Sequence, residues 1–202
     1  MLCAGLTAYA ALQKTNPRPG NWVVVSGAGG GVGHLAVQLA AKAFGQRVIG
    51  IDQSAKRNVA RDSGAEEFID VAQSSGDMVA EVKKITGGLG AHAVIVCAAS
   101  NAAYAQGVEL LRPGGTLVGV GMPGGEPIPI ATARPSLMAQ NELRITGSIL
   151  GNQQDAKAVL ELAARGIISL HYKTKRLEDL TQVFQDMKKG SLVGRVVIDL
   201  QD

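Results

Sequence analysis

Residues 23–40, VVVSGAGGGVGHLAVQLA, run from an apolar stretch through five glycines in seven positions into a helical pattern, and no other stretch restricts the fold as much. Val23 to Val25 is β-branched, which suits a strand buried on both faces of a parallel sheet. Val32, Leu35, Ala36 and Leu39 keep the i, i+3, i+4, i+7 spacing of a helix stripe. The glycines therefore lie in a strand-to-helix turn. There the first helical N–H groups lack intrahelical partners and carry the positive end of the helix dipole, so a phosphate is bound without any lysine. A tight turn with nothing bound is the other reading of an isolated glycine run, and context has to separate the two. The strict G-x-G-x-x-G spacing does not start at Gly27 or Gly29. Either Gly27, Gly30 and Gly33 form G-x-x-G-x-x-G, or Ala28 stands as the first member of a strict match ending at Gly33.

The rest of the chain alternates strand and helix signals. Trp22 to Ser26, Arg47 to Ile51, Glu67 to Asp70, Ala93 to Cys97, Thr116 to Val120 and Arg144 to Ser148 are predicted strands, with helices over 32–44, 54–63, 75–86 and 101–111. This pattern predicts an α/β Rossmann fold, a doubly wound parallel sheet of order 3-2-1-4-5-6. The Gly- and Pro-rich link over 121–142 is read as a possible extra edge strand for subunit contacts, followed by a short helix. Beyond residue 150 come a helix over 153–165, a strand near Tyr172, a second helix and a final strand from Arg195 to Leu200. Leu180, Val183, Phe184 and Met187 form one apolar stripe in that second helix. The division expected is a dinucleotide-binding domain over 1–150 and a carboxyl-terminal helix-strand extension over 151–202.

Composition narrows the function class. The 202 residues are 46% hydrophobic, ample for a core, and a net charge of +3 spread along a chain with 3% aromatic residues gives neither a phosphate-tracking stripe nor a base-stacking platform. No nucleic acid partner is expected. Cys3 and Cys97 are too few and too far apart for a disulfide framework. No apolar run approaches the roughly 20 residues of a membrane span, and Met1 to Ala11 has no basic segment ahead of its apolar residues. A cytoplasmic protein without membrane contact is the expectation.

In a doubly wound sheet the ligand crevice opens where strand order reverses, and the second strand ends in an acid that accepts from the adenosine ribose. VIGID supplies Asp52 there. A 2′-phosphate would meet its carboxylate, so NAD is favoured over NADP, although Lys56 and Arg57 stand near enough to offset part of that repulsion. A solvated strand-end carboxylate is the plainer alternative for Asp52. His34, His92 and His171 have no metal or triad spacing and read as structural or surface histidines, and Cys97 within AVIVCAAS reads as a small core residue.

Taken in order, CAGLTAY, SGAGGGVGHLAVQLA, VIGID, VGMPGG, ITGSILGN and KKGSLVGRVVID resemble the carboxyl-terminal part of zinc-dependent alcohol dehydrogenases of the fungal, yeast type, members of the medium-chain dehydrogenase/reductase superfamily. The resemblance covers essentially the whole chain. It implies that Cys3 is one protein ligand of a catalytic zinc, that Thr7 lies against the nicotinamide, and that Gly30, Gly31 and Gly33 form the pyrophosphate turn. It further implies that Asp52 and Lys56 attend the ribose, that Arg195 reaches back to the pyrophosphate, and that backbone near Val120, Met122 and Ile149 holds the carboxamide.

By the same resemblance the activity is hydride transfer between NAD and a primary or secondary alcohol or its aldehyde, in a homo-oligomer. The family's amino-terminal catalytic domain has no counterpart in these residues. The expectation is therefore a truncated chain whose zinc site is incomplete and whose extension lacks part of its cover. Two further readings stand beside it: a non-catalytic NAD-binding or oligomerisation module, and a zinc-free quinone-reductase-like enzyme. Asp52 and Cys3 both count against the latter.

Overall fold

The computed structural model describes residues 1–74, 77–126 and 128–200. Its centre is a six-stranded parallel sheet of β1 (Trp22–Ser26), β2 (Arg47–Asp52), β3 (Glu67–Asp70), β4 (Ala91–Val96), β5 (Leu111–Gly119) and β6 (Arg144–Gly147), in the order β3-β2-β1-β4-β5-β6. The expected order is the observed one. Register aligns the carboxyl ends: Ser26 lies opposite Ile51 on one side and Val96 on the other.

Alternate residues of β1 feed two cores. Val23 and Val25 join α1 (Ala4–Gln13), α2 (Gly33–Gln38) and α3 (Arg57–Ser63) on one face. Trp22 and Val24 join α4 (Met78–Ile85) and α5 (Asn101–Glu109) on the other, with Leu137 and Met138 of α6 (Pro135–Gln140) packed beside them. Every residue of β1 is buried, as its unbroken apolar run requires, and each such Val or Leu contributes about 1.5–3 kcal/mol relative to leaving it wet. α2 continues into a π-helical turn, Leu39–Ala43, where Phe44 N–H donates to Leu39 C=O at 3.0 Å.

The differences from expectation are local. α1 was not anticipated: AGLTAYAALQ is apolar nearly all round, so no stripe announces it, and it lies largely buried against the core. The helix expected over 101–111 gives up Leu110 and Leu111, because Leu111 opens β5 and pairs with Ala91. The first two residues of the helix expected over 75–86 lie outside the described residues. The link over 121–134 forms no strand among its described residues, since glycines and prolines leave few N–H groups and little side-chain cover for a ladder.

After the sheet, Asn152 starts α7 (Gln153–Ala164) with a reciprocal cap: its side chain accepts from Gln154 and Asp155 N–H while Asp155 accepts from Asn152 N–H. Val159 of α7 and Ile168 are buried in the core shared with α1 and α2. β7 (Tyr172–Arg176) pairs in parallel with β8 (Arg195–Asp199), with α8 (Leu180–Lys188) between them in sequence. In α8 only Val183 is buried; Phe184 and Met187 are exposed. No helix of the described residues is long and apolar enough to cross a membrane.

Candidate functional site

The glycine turn leaves β1 at the point where β4 lies on one side and β2 on the other. Gly27 N–H donates to Ile51 C=O at 2.8 Å, and its φ of +80° turns the chain over the sheet, 2.9 Å short of Ala98 N for any added Cβ. A Cβ on Gly33 would overlap the carbonyl oxygen of Gly27, so α2 starts directly on the turn. The register with Gly27 and Gly33 as its ends is the one the structure uses. Gly30 and Gly31 are looser, with the nearest atoms 3.3 Å from an added Cβ. Among the described residues the N–H groups of Gly31, Val32 and Gly33 meet no acceptor, so three donors at the start of α2 remain for an anion.

Gly29 was hidden in the sequence as one member of a run. In the fold its N–H donates to Asp52 Oδ2 at 3.0 Å, and its α-carbon side faces Lys56 Cβ only 2.5 Å from an added Cβ. No local pattern distinguishes it, because both contacts come from the next βα unit. Asp52 thus sits at the end of β2 as a fixed acceptor: Oδ1 takes Gln53 N–H at 2.9 Å, and Lys56 Nζ stands 3.4 Å from the same oxygen. Both side chains are nearly enclosed, at 7% and 11% exposure. Oδ2, which takes only Gly29 N–H, keeps a second lone pair for a hydroxyl donor. Arg57 turns away and lies over the Phe68 ring at 4.6 Å, so of the two neighbouring cations only Lys56 belongs to this site.

The carboxyl-terminal strand closes over the turn. Gly194 N–H donates to Gly29 C=O at 2.8 Å, and Arg195 Nη1 reaches Gly31 C=O at 3.4 Å. Gly31, Lys56, Met187 and Arg195 share the wall of a cavity of about 330 Å³. His34 ties the layers together: its Nδ1 donates to Gly30 C=O at 2.7 Å and its Nε2 accepts from His171 N–H at 3.3 Å, while His171 C=O accepts from Arg195 N–H at 2.9 Å. Burial pushes the imidazole down to about 4 against a backbone bond that pulls the other way, so it is neutral. It is a satisfied structural histidine, as its sequence context suggested.

Farther along the carboxyl edge, Val120, Met122 and Ile149 line one cavity of about 330 Å³ together with Tyr104 and Ser148. Tyr104 Oη donates to Gly121 C=O at 2.5 Å and holds this loop to α5. Met122 and Ile149 are 76% and 74% exposed. Cys3 stands exposed at the start of α1, and its C=O accepts from Thr7 N–H at 2.9 Å, which puts the two residues one turn apart. Among the described residues no group of three or more His, Cys, Asp or Glu side chains is placed to hold a metal ion. These residues therefore do not by themselves fit a zinc centre. The Cys97 thiol is pushed up to about 12 by burial, with the Asp52 charge adding to it, and stays protonated.

Residues 31–165 match the family model of zinc-binding dehydrogenases. Alcohol dehydrogenase 2 of Emericella nidulans is 50% identical over 206 residues, covering 99% of this chain and 56% of the relative. Alcohol dehydrogenase 2 of Caenorhabditis elegans is 41% identical over 98% of this chain and 55% of its own length. Among solved structures, the alcohol dehydrogenase of the archaeon Aeropyrum pernix superposes with a TM-score of 0.86 at 29% identity, over 98% of this chain and 56% of that one. An NAD-dependent alcohol dehydrogenase superposes at 0.88 with 26% identity, over all of this chain and 57% of that one. The chain spans about half the length of the curated relatives it matches.

Proposed function

The chain belongs to the zinc-binding dehydrogenase family, and on that premise we propose that residues 1–202 supply the NAD-binding part of an alcohol dehydrogenase. The reaction is transfer of a hydride from the carbinol carbon of a primary or secondary alcohol to C4 of the nicotinamide, with the hydroxyl proton released and an aldehyde or ketone formed. The observation that carries this reading is the bond from Gly29 N–H to Asp52 Oδ2, which locks the phosphate turn and the ribose acid into one unit.

In this reading Gly31, Val32 and Gly33 N–H groups and Arg195 hold the pyrophosphate, while Gly30 shapes the turn. Asp52 accepts from the adenosine ribose hydroxyls, with Lys56 compensating its charge. Val120, Met122 and Ile149 hold the carboxamide through backbone, and Thr7 lies against the nicotinamide. Cys3 would supply one donor to a zinc, and the chemistry such a zinc would supply is to polarise the alcohol oxygen. Residues 1–150 form the cofactor-binding unit, and 151–202 the extension onto which further family architecture packs. The names of the relatives and neighbours support alcohol as substrate and NAD as cofactor. A homo-oligomer in the cytoplasm completes the proposal.

The test is cofactor choice. NADH should bind at least about tenfold more tightly than NADPH, and Asp52→Asn should narrow the gap by removing the charge that repels a 2′-phosphate, worth about 1.5–3 kcal/mol. Equal affinity of the unmutated chain for both cofactors would sink the reading.

A further inference from the structure

At the opposite ends of the same strands the structure holds a second polar concavity, of about 310 Å³, the smaller end of the range for ligand sites. Its wall combines Asn16, Arg18 and Asn21 from the turn before β1 with His92 of β4, Arg112 of β5 and Arg144 of β6. Among the described residues no carboxylate belongs to that wall. The ion pairs among the described residues engage Arg47, Lys56, Arg61 and Lys175, and none of the three arginines here. Three guanidiniums sharing one concavity repel each other and focus positive potential into it.

His92 supplies an independent sign of a missing acceptor. Trp22 N–H points at its Nδ1 at 3.1 Å, and Arg112 Nη1 stands 2.8 Å from its Nε2. A neutral imidazole has one N–H and one lone pair, so it satisfies only one of these two donors. The Trp22 N–H is fixed by β1. Nδ1 therefore accepts, Nε2 carries the hydrogen, and Arg112 faces a donor. Protonating the ring makes the conflict worse. Burial and then the charge of Arg112 push His92 down, which keeps it neutral. An oxyanion in the concavity accepts from Nε2–H and from Arg112 together and removes the conflict.

We propose that this concavity binds a phosphate-type oxyanion, free or as the phosphoryl group of a small molecule, through Arg112 and His92 with Arg18 and Arg144 at its mouth. The site lies a full strand length from the glycine turn and does not depend on the dehydrogenase reading. Arginine is suited to this ligand because its planar fork matches two phosphate oxygens at once.

Trp22 is the only tryptophan, and its N–H bond to His92 makes its backbone amide a local reporter. The experiment follows that amide by NMR in the 202-residue chain, where its place at the start of β1, away from the glycine turn, makes it report this concavity. Inorganic phosphate, glycerol phosphate and chloride are titrated at matched ionic strength. Phosphate should give a saturable shift that chloride does not reproduce, weakened about tenfold in Arg112→Gln and in the Arg18→Gln, Arg144→Gln double variant. Tighter binding of glycerol phosphate assigns the site to a phosphorylated small molecule; equal or weaker binding assigns it to free phosphate. Both arginines of the double variant are exposed, so it serves as the test if Arg112→Gln does not fold. A shift that chloride matches, no saturable shift, or one unaltered in every folded variant would overturn the proposal.

Discussion

The two ends of the crevice along the carboxyl edge of the sheet are built differently. Around Asp52 the turn, β2, α3 and β8 interlock: Gly29, Asp52, Lys56, Gly194 and Arg195 are joined by backbone and charged bonds, and the two ionised side chains are nearly enclosed. Around Met122 and Ile149 the wall is a loop and a strand end open to water, and Cys3 stands exposed at a helix start. The first end is preorganised by residues 1–202 themselves. At the second, the same residues provide one wall of a site. On the proposed function, the contrast puts cofactor affinity at the enclosed, adenosine end rather than at the open, nicotinamide end.

The largest expected effect, on stability and affinity together, is at Gly33. Gly33→Ala forces a Cβ into the Gly27 carbonyl, so stability should fall by about 1–3 kcal/mol and NADH affinity by more than about tenfold, read by urea unfolding and fluorescence titration. Unchanged affinity would show that the turn is not the anchor.

Lys56→Met comes next. It leaves the Asp52 carboxylate enclosed without its cation, which should cost about 3 kcal/mol on the same urea curves; a loss below about 1 kcal/mol would mean that the pair is well hydrated.

His34 sets a pH window at the same end. Its folded value of about 4 lies below the ordinary 6.5, so the unfolded chain binds the proton more readily. The associated stability is intact above pH 6.5, is lost as pH falls from there toward about 4, and changes no further below that. The total is on the order of 3 kcal/mol. Urea midpoints across that range should flatten in His34→Gln; an equal slope in both proteins would assign the loss to other groups.

The smallest effects belong to the open end. Met122→Ala and Cys3→Ser should each alter stability by less than about 0.5 kcal/mol and NADH affinity by less than about threefold, because both side chains face water. A large loss in either would close the gap between the two ends.

The preorganised end was also the legible one. A β-branched run, a glycine turn and an acid at the next strand end are local signals, and β1, β2 and Asp52 fell where those signals put them. What escaped was non-local or unpatterned. Gly29 is singled out by Lys56 and Asp52 from the next βα unit, the neutral state of His34 follows first from its burial, and α1 is so uniformly apolar that no face of it could be picked out. Arg195 came from the resemblance alone. Its approach to Gly31 depends on β8 folding back over the turn, which no spacing in the chain encodes.

The central claim is that the adenosine end, complete within this chain, carries the affinity. Calorimetric titration of the 202-residue protein with NADH, ADP-ribose and nicotinamide mononucleotide divides the ligand at the pyrophosphate. ADP-ribose should bind within about threefold of NADH while the mononucleotide binds at least about a hundredfold more weakly. ADP-ribose binding no better than the mononucleotide would contradict the account.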